Sequence, residues 1–413
     1  MPFRSLEESL TDATPAPRTM GEPDWAALRD RAYNLRWATV VRGVIPLTAA
    51  DPDLPIASEI GAEIARYVAT PHLSYGPAAG LPDFTRAMAR HFAHTKGASV
   101  DAARVTATNS AASALMMVAR HVVMPGDEVV VQDPVDFLVG ESVRRAGGSV
   151  RRWLPDADGP NAGRFTVAGL KAAVTGATRA IAVCHPHNPM GTLLSPDEVR
   201  EIARFAASRR ITVISDEVWS DVVLDGRPFE SFSAHAGARD GLHAWVVYGL
   251  SKGYGLAGLR IGAVIAPDAA AAAAFRSAQG FDLTIEGAAT ISQVAATAAL
   301  ERAGAWREAF LLHAASQRDR AAARLSRLRG VRIARLPEAT FVLFIDIRGT
   351  GFDEETIAQR LEVLAGVKVV PGSPRWFGSG AAGHMRLSLA TTEGVLDEAL
   401  SRIECAWEHV LAA

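Results

Sequence analysis

The chain contains few cysteines and no cluster of basic residues. Only two cysteines, Cys184 and Cys405, occur in 413 residues, and they lie far apart. This scarcity argues against a disulfide framework and against a zinc site, so we expect no metal, and it fits the reducing cytoplasm. The formal net charge is -2 at pH 7. Without a basic block, nothing in the charge pattern favours binding to nucleic acid.

Membrane signals are also missing. Residues 1–18, MPFRSLEESLTDATPAPR, contain no apolar core of the kind that a signal peptide has. No apolar run is long enough to span a bilayer, and the alanine run at residues 269–274 only favours a helix. We therefore expect a cytoplasmic protein that does not bind a membrane.

The chain is long enough, and with 49% hydrophobic residues apolar enough, to bury a large core and to form two domains. Residues 1–25 are rich in proline, threonine and acidic groups, which predicts a mobile N-terminal arm. We expect residues 51–300 to form a large domain that binds a cofactor. Residues 301–413 are expected to form a smaller α+β domain, against which residues 26–50 pack.

Between about residues 100 and 266, short β-rich runs alternate with helical stretches. Several of these runs are apolar on both faces, as central strands are when helices cover both sides of a sheet. The alternation predicts an α/β fold in which a mostly parallel sheet lies between helices. The predicted strands are residues 105–108, 128–132, 180–185, 211–217, 244–249 and 261–266.

Residues 249–262, GLSKGYGLAGLRIG, contain the most informative chemistry. Lys252 follows the hydroxyl of Ser251, and Arg260 comes one loop later. A lysine amine can form a Schiff base with an aldehyde cofactor, and a guanidinium can bind the phosphate of that cofactor bidentately. The glycines also match the dinucleotide spacing G-x-G-x-x-G, but a predicted strand follows them instead of a helix. The stretch therefore favours pyridoxal phosphate (PLP).

Two polar residues follow predicted apolar strands. In open α/β sheets, ligands bind beyond the carboxyl ends of the strands. Asp216 at such an end could keep a pyridine nitrogen protonated, or it could only cap the next helix. Asn188, which precedes a proline, could donate to a cofactor hydroxyl, or it could form a plain turn.

A helix start and a late arginine complete the candidate set. Ser110, Ala111 and Ala112 open a predicted helix, whose free N–H groups would cradle a phosphate, although an ordinary serine cap has the same pattern. Arg386 begins a predicted strand near the end of the chain. It is either the partner of a substrate carboxylate or an exposed arginine at a sheet edge.

Together these parts resemble the class I/II aminotransferase family of fold-type-I PLP enzymes. The resemblance covers about 340 residues and implies the fold-type-I architecture, a PLP cofactor and an amino-acid substrate. The segments that carry it are SYGPAAGLPDFTRAMA (74–89), TNSAASAL, MPGDEVVVQDP, HPHNPMGT, SDEVWSD, SKGYGLAGLRIG and VVPG…FG…MRLSLA.

The resemblance also implies a role for each candidate residue. Lys252 would be the Schiff-base lysine and the catalytic proton carrier. Asp216 would pair with the pyridine nitrogen, Asn188 with the phenolic oxygen, and Arg386 with the substrate carboxylate. Tyr75 would reach the phosphate bound by the neighbouring subunit, which implies a homodimer. The remaining phosphate contacts would come from Ser110, Ala111, Ala112, Ser251 and Arg260.

Within the family, three segments look closer to the cystathionine β-lyase-like C–S lyase branch than to typical transaminases. They are TAADPDLP (48–55), residues 215–232 and HPHNPMGT. The acids Asp51, Asp53 and Asp221 carry this similarity.

Three positions depart from the family pattern. Asp136 stands where a tyrosine usually stacks on the cofactor, so either Phe137 takes over the stacking or the cofactor is gripped differently. Asp136 itself could act as a base or bind a cationic group of the substrate, or it could point away from the site. Trp219 occupies a position where transaminases often have a tyrosine and C–S lyases often have a histidine. Unlike those two side chains, an indole cannot transfer a proton. Gly249 stands where a phosphate-binding hydroxyl is common. We expect Phe137 at the cofactor, and Asp136 and Trp219 at the substrate.

The expected chemistry begins when Lys252 removes the α-proton of an amino acid. If a β-substituent is then lost, the protein is a C–S β-lyase. If the proton returns to the cofactor, it is an aminotransferase. If the carboxylate is lost instead, it is a decarboxylating deaminase. We expect the lyase, with the aminotransferase as the alternative. The fold also serves in transcription regulators, but residues 1–40 are too short and too weakly basic for a helix-turn-helix.

Overall fold

The computed structural model describes residues 21–157, 159–237 and 241–412. The predicted N-terminal arm therefore lies mostly outside the described residues. The described strands are β1 (Ile45–Pro46), β2 (Val105–Thr108), β3 (Glu128–Gln132), β4 (Ser149–Trp153), β5 (Thr178–Cys184), β6 (Thr212–Asp216), β7 (Ala244–Gly249), β8 (Gly262–Ile265), β9 (Val342–Asp346), β10 (Val367–Lys368), β11 (Val370–Pro371) and β12 (His384–Ser388).

Helices cover these strands along the whole described chain. No described helix is long and apolar enough to cross a membrane. The α-helices are α1 (Trp25–Arg31), α2 (Ser58–Val68), α3 (Pro82–Thr95), α4 (Ala111–Val122), α5 (Phe137–Arg145), α6 (Val167–Ala173), α7 (Pro196–Arg209), α8 (Ala269–Gln279), α9 (Thr290–Arg302), α10 (Gly304–Leu325), α11 (Glu354–Arg360), α12 (Pro374–Phe377) and α13 (Glu393–Ala412).

Seven strands form one central sheet in the order β2-β8-β7-β6-β5-β3-β4. Strands β3 to β7 run parallel to their sheet neighbours in this group, and only β8 is antiparallel to β2 and β7. Hydrophobic clusters fill both faces of the sheet. The predicted α/β fold with a mostly parallel sheet is confirmed, and each predicted strand overlaps an observed one.

Local sequence signals explain where these elements begin. At the start of α7, Ser195 accepts a hydrogen bond from the Glu198 N–H, and the Glu198 carboxylate accepts one from the Ser195 N–H. This capping box, with Pro196 in the first turn, fixes the helix start. The α4 start is different, because its cap, Ser110, has a φ of 101°, which an L-residue adopts only at some energetic cost.

The last part of the chain forms a three-stranded sheet in the order β11-β12-β9. A second, two-stranded sheet joins β1 from the N-terminal segment to β10 in parallel. A hydrophobic cluster contains Trp37, Ile45 and Leu47 together with late residues such as Leu396 and Trp407. The N-terminal segment thus packs on the C-terminal elements. The domain limits themselves stay a prediction.

Parallel pairing places the ends of the central strands at one edge. Cys184 at the end of β5 lies in register with Asp216 at the end of β6, and Asp216 is in register with Val247 in β7. Asn188 and Lys252 follow these strands by only a few residues. Arg386 lies in the middle strand of the three-stranded sheet, β12, opposite Phe344 of β9. A ligand between the two sheets would therefore be reached from both.

Candidate active site

A cavity of about 510 Å³ lies at the carboxyl edge of the central sheet. Eleven of the thirteen residues that the sequence places in the site line it, and the other two, Ala111 and Tyr75, do not. The eleven are Ser110, Ala112, Asp136, Phe137, Asn188, Asp216, Trp219, Ser251, Lys252, Arg260 and Arg386. Sequence motifs more than 270 residues apart are thus brought to a single site.

The amine of Lys252 lies inside this cavity. Its Nζ donates to the Ala50 carbonyl at 2.6 Å and lies 5.4 Å from the centre of the Trp219 ring. Burial lowers the pKa of Lys252 below its ordinary value, although the nearby carboxylates of Asp51 and Asp136 oppose that shift. An amine with a lowered pKa is more often neutral near pH 7, as a nucleophile or a general base must be.

Asp216 lies at the bottom of the cavity. Its Oδ1 accepts a hydrogen bond from the Val218 N–H at 3.2 Å, which leaves the other oxygen available. Burial raises the pKa of Asp216 to about 7, and the charge of Asp136 acts in the same direction. A carboxylate that is poorly solvated gains most from a cationic partner, and the protonated nitrogen of a pyridine ring would be one.

One end of the cavity is suited to a phosphate. Arg260 donates from Nη2 to Ser110 Oγ at 3.0 Å, so a guanidinium and a hydroxyl meet at the start of the twelve-residue helix α4. Ser251 and Ala112 line the same cavity. Ala111 does not line it, but its backbone belongs to the first turn of α4, where free N–H groups and the helix dipole attract anions.

Arg386 is a buried residue of the cavity wall. Its Nη1 donates to Asn188 Oδ1 at 3.2 Å and its Nη2 to the Thr48 carbonyl at 3.0 Å, whereas its buried Nε makes no hydrogen bond. Burial lowers the pKa of Arg386 to about 10, and the charge of Asp136 opposes this shift. A buried guanidinium with an unused donor fits the carboxylate of a bound substrate.

Asp136 points into the cavity, not away from it. Its Oδ2 accepts from Asn188 Nδ2 at 3.1 Å, and its Oδ1 accepts from the Leu138 N–H at 3.1 Å, which caps α5. Phe137 lines the cavity as well, and its ring packs edge-on against Trp376 with centroids 6.1 Å apart. Asp136 and Phe137 therefore both line the cavity, and which of them faces the cofactor stays a prediction.

Two predicted residues differ from the rest in their surroundings. Trp219 is fully buried and packs edge-on against Phe341, with centroids 4.8 Å apart, so only part of its ring faces the cavity. Tyr75 is 91% exposed and lines a different depression, next to Ile285. Tyr75 therefore does not line the cavity that the proposed phosphate residues share, and its role at a neighbouring subunit stays a prediction.

Two of the three acids that suggested a C–S lyase are structural. Asp53 forms a buried ion pair with Arg36 and accepts from the Trp37 indole. Asp221 is also buried, among Lys96, His91 and Arg307, and outside the cavity. Although burial favours its neutral form, these three residues hold the pKa of Asp221 well below its ordinary value.

Several cavity residues were not foreseen from the sequence. Asn34, Leu35 and Ala50 come from the N-terminal segment, and Trp376 comes from α12. The only available signal was the aromatic pair in RWFG, between VVPG and MRLSLA. For the N-terminal segment, no motif marked Asn34 or Leu35, because this segment is placed by tertiary packing against the C-terminal elements.

Comparison with known proteins agrees with this site. The family model described as aminotransferase class I and II matches residues 42–403. The chain is 31% identical to aspartate/prephenate aminotransferase of Thermus thermophilus over 91% of this chain and 94% of that protein. It is 27% identical to a Mycobacterium tuberculosis protein named "Putative cystathionine beta-lyase", over 94% of this chain and 98% of that one.

The fold is likewise shared with a PLP-bound protein. A solved structure from Clostridium difficile 630 has a TM-score of 0.85 at 19% identity, and it covers 94% of this chain and 99% of that chain. The residues around the cavity fit this cofactor, since they offer a phosphate cradle, a lysine amine and a buried acid. The chain therefore belongs to the class I and II aminotransferases, a family of PLP-dependent enzymes with the fold-type-I architecture.

Proposed function

We propose that this protein is an aminotransferase of α-amino acids, and that Lys252 and Arg386 perform its two central tasks. The observation that carries the proposal is that one cavity holds both a buried amine with a lowered pKa and a guanidinium with an unused Nε. Arg386 would bind the α-carboxylate, which amino acids and keto acids share. Lys252 Nζ would remove the proton from the α-carbon and hold it for return.

The cofactor would supply the electron sink for the pair left on the α-carbon. Asp216 would hold the ring nitrogen, Asn188 Nδ2 would donate to the phenolic oxygen, and Arg260 with Ser110 and Ser251 would bind the phosphate. The buried cavity would exclude water, which strengthens each of these interactions. All of these roles use side chains that already line the cavity.

The lyase hypothesis now has less support than the aminotransferase. Asp53 and Asp221, which linked the chain to C–S lyases, form buried ion pairs outside the cavity. Among the described residues that line the cavity, the unassigned ones include no histidine and no tyrosine that could protonate a leaving thiolate. Aspartate/prephenate aminotransferase, by contrast, is 31% identical to this chain.

The deciding experiment compares turnover with and without a keto acid. We expect L-amino acids to be consumed only when an acceptor such as 2-oxoglutarate or pyruvate is added. S-substituted cysteines are expected to release no thiol in the absence of an acceptor. Release of thiol and pyruvate without a keto acid would instead establish the lyase, and release of CO₂ the decarboxylating deaminase.

We also propose that the active unit is a homodimer to which Tyr75 contributes. Tyr75, Leu73, Leu283 and Ile285 are all more than 60% exposed, and Tyr75 and Ile285 line the same depression. Exposed apolar side chains of this size favour an interface. A dimeric mass in solution, together with weaker cofactor binding by Tyr75→Phe, would support the proposal, and a stable active monomer would overturn it.

A further inference from the structure

We infer that the substrate carries a large, uncharged, aromatic side chain, and that acidic amino acids are poor substrates. The inference rests on the proposed function, because it takes Arg386 as the partner of the α-carboxylate and Lys252 as the base at the α-carbon. It concerns the part of the cavity wall to which no role in binding the cofactor or the α-carboxylate has been assigned.

This remaining wall is largely apolar. It includes Leu35, Leu138, Val370, Trp376 and Phe377, and it borders Phe137, which is expected at the cofactor. These residues come from three separate parts of the chain, namely the N-terminal segment, α5 and the region of β11 and α12. Apolar walls with a few polar groups are typical of small-molecule sites, where the apolar part accepts the apolar part of the ligand.

The aromatic members of the wall are held in place. Phe137 and Trp376 meet edge-on at 76°, and the guanidinium of Arg375 lies 4.8 Å from the Trp376 ring centre. Phe377 is buried beneath Arg386, with the guanidinium 5.0 Å from its ring centre. Phe137 and Leu35 nevertheless remain 39% and 38% exposed, respectively. A ring that entered between them would remove this apolar surface from water and make edge contacts with Phe137 and Trp376.

The charges of the cavity oppose an acidic side chain. Three cationic residues line it, Lys252, Arg260 and Arg386, and each already has a proposed partner in the cofactor or the α-carboxylate. No fourth cationic residue of the described chain lines the cavity. Asp136 adds a negative charge beside Arg386. The second carboxylate of aspartate or glutamate would therefore be desolvated without a partner and close to a like charge.

Asp136 is also poorly placed to select a cationic side chain. Both of its carboxylate oxygens already accept hydrogen bonds, Oδ1 from the Leu138 N–H and Oδ2 from Asn188 Nδ2. A lysine-like substrate would have to share the Asp136 carboxylate with the cap of α5 and with the amide that is proposed to bind the cofactor. An uncharged ring has no such competitor.

The test titrates the PLP-loaded protein with single amino acids and follows the visible absorption of the bound cofactor. We expect L-phenylalanine to saturate this absorption change at a concentration at least about tenfold lower than L-aspartate or L-lysine requires. Trp376→Ala and Leu35→Ala should each weaken the binding of L-phenylalanine by about tenfold and leave that of L-alanine within about twofold. Leu336→Ala, which removes a 43% exposed side chain outside the cavity, is the matched control.

Tighter binding of L-aspartate or L-lysine than of L-phenylalanine would overturn the inference, as would an equal loss of affinity for all amino acids in both variants. A failure of the proposed aminotransferase function would be detected by another measurement, namely turnover that does not depend on a keto acid. The order of the spectroscopic affinities does not depend on that outcome, because it requires no acceptor.

Discussion

The side-chain amide of Asn188 joins Asp136 to Arg386, since it donates to Asp136 Oδ2 at 3.1 Å and accepts from Arg386 Nη1 at 3.2 Å. The Asp136 carboxylate and the Arg386 guanidinium are thus linked through one amide. The orientation of this amide is fixed from both sides, because only its nitrogen can donate to the carboxylate and only its oxygen can accept from the guanidinium. A change at Asp136 should therefore alter both the charge of the cavity and the position of Asn188.

The first prediction concerns Asp136→Asn. Asparagine is also a good helix cap, so α5 should remain intact. Loss of the negative charge should raise the affinity for L-aspartate relative to L-phenylalanine by about three- to tenfold, measured through the cofactor spectrum. An unchanged ratio would mean that the charge of Asp136 has no part in substrate selection.

The second prediction concerns the pH dependence of stability that Asp216 causes in the cofactor-free protein. Its pKa is raised from 3.8 to about 7, so the folded state binds this proton more tightly than the unfolded state. The free energy of unfolding should therefore fall as the pH rises from about 4 to about 7, and level off above that range. The Asp216→Asn variant has no carboxyl group at this position, so its stability should not fall in this way. Its free energy of unfolding at pH 8 should exceed that of the wild type by about 2–4 kcal/mol.

Chemical denaturation of both cofactor-free proteins at pH 4 and pH 8 checks this prediction. The difference between them should nearly vanish at pH 4. Glu217, whose pKa burial also raises to about 7, is present in both proteins and cancels in the comparison. A wild type as stable as the variant at pH 8 would show that the Asp216 carboxylate is well solvated or paired without the cofactor.

The third prediction tests whether Asp221 is structural. Its carboxylate accepts from Lys96 Nζ at 2.6 Å and from Arg307 Nη1 at 3.1 Å, and it also pairs with His91. Asp221→Asn would leave the fully buried ammonium of Lys96 without a counter-charge. We expect a loss of about 3–5 kcal/mol in the free energy of unfolding.

A matched exposed pair provides the control for this substitution. Asp83 is 80% exposed and pairs with Arg86, so Asp83→Asn should change the free energy of unfolding by less than about 0.5 kcal/mol. If Asp221→Asn kept full stability but lost substrate binding, Asp221 would belong to the active site and the lyase hypothesis would regain support.

The fourth prediction explains the glycine at position 249. A Cβ atom there would lie 3.0 Å from the Cβ of Ala111 and 3.2 Å from Cγ2 of Val218. Gly249→Ser, which restores the hydroxyl common in the family, should therefore destabilise the protein by about 1–3 kcal/mol. Adding Ala111→Gly removes the closer contact and should recover part of the loss, as thermal unfolding can show. Tighter PLP binding by Gly249→Ser without loss of stability would contradict this explanation.

The sequence predicted those features that depend on strand order and on local signals. Asn188 and Asp216 follow apolar strands, and parallel strand ends must meet at one edge of a sheet. Strand β4 was missed because it is an edge strand with exposed Ser149, Arg151 and Arg152, so it lacks the apolar pattern of the other strands.

The orientation of side chains was less predictable than their location. Nothing in the run DPVDF indicates whether Asp136 turns inward, since its direction depends on the Asn188 amide more than fifty residues later. Trp376 and Leu35 reach the cavity because of tertiary packing, which leaves no spacing in the sequence to recognise. The residues proposed for the cofactor were therefore located in the cavity more completely than those that form the apolar wall.

The pairing of β1 with β10 has a consequence for the order in which the protein is made. During translation, all seven strands of the central sheet have been synthesised once Ile265 has left the ribosome. Ile45 in β1, by contrast, cannot pair until Val367 in β10 has been synthesised. Arg386 is synthesised later still. The lysine and the residues of the proposed phosphate cradle are thus synthesised well before the guanidinium that is proposed to hold a substrate carboxylate. The hydrophobic cluster on one face of the central sheet also includes Phe341 and Ala390, so the sheet is fully covered only late in synthesis.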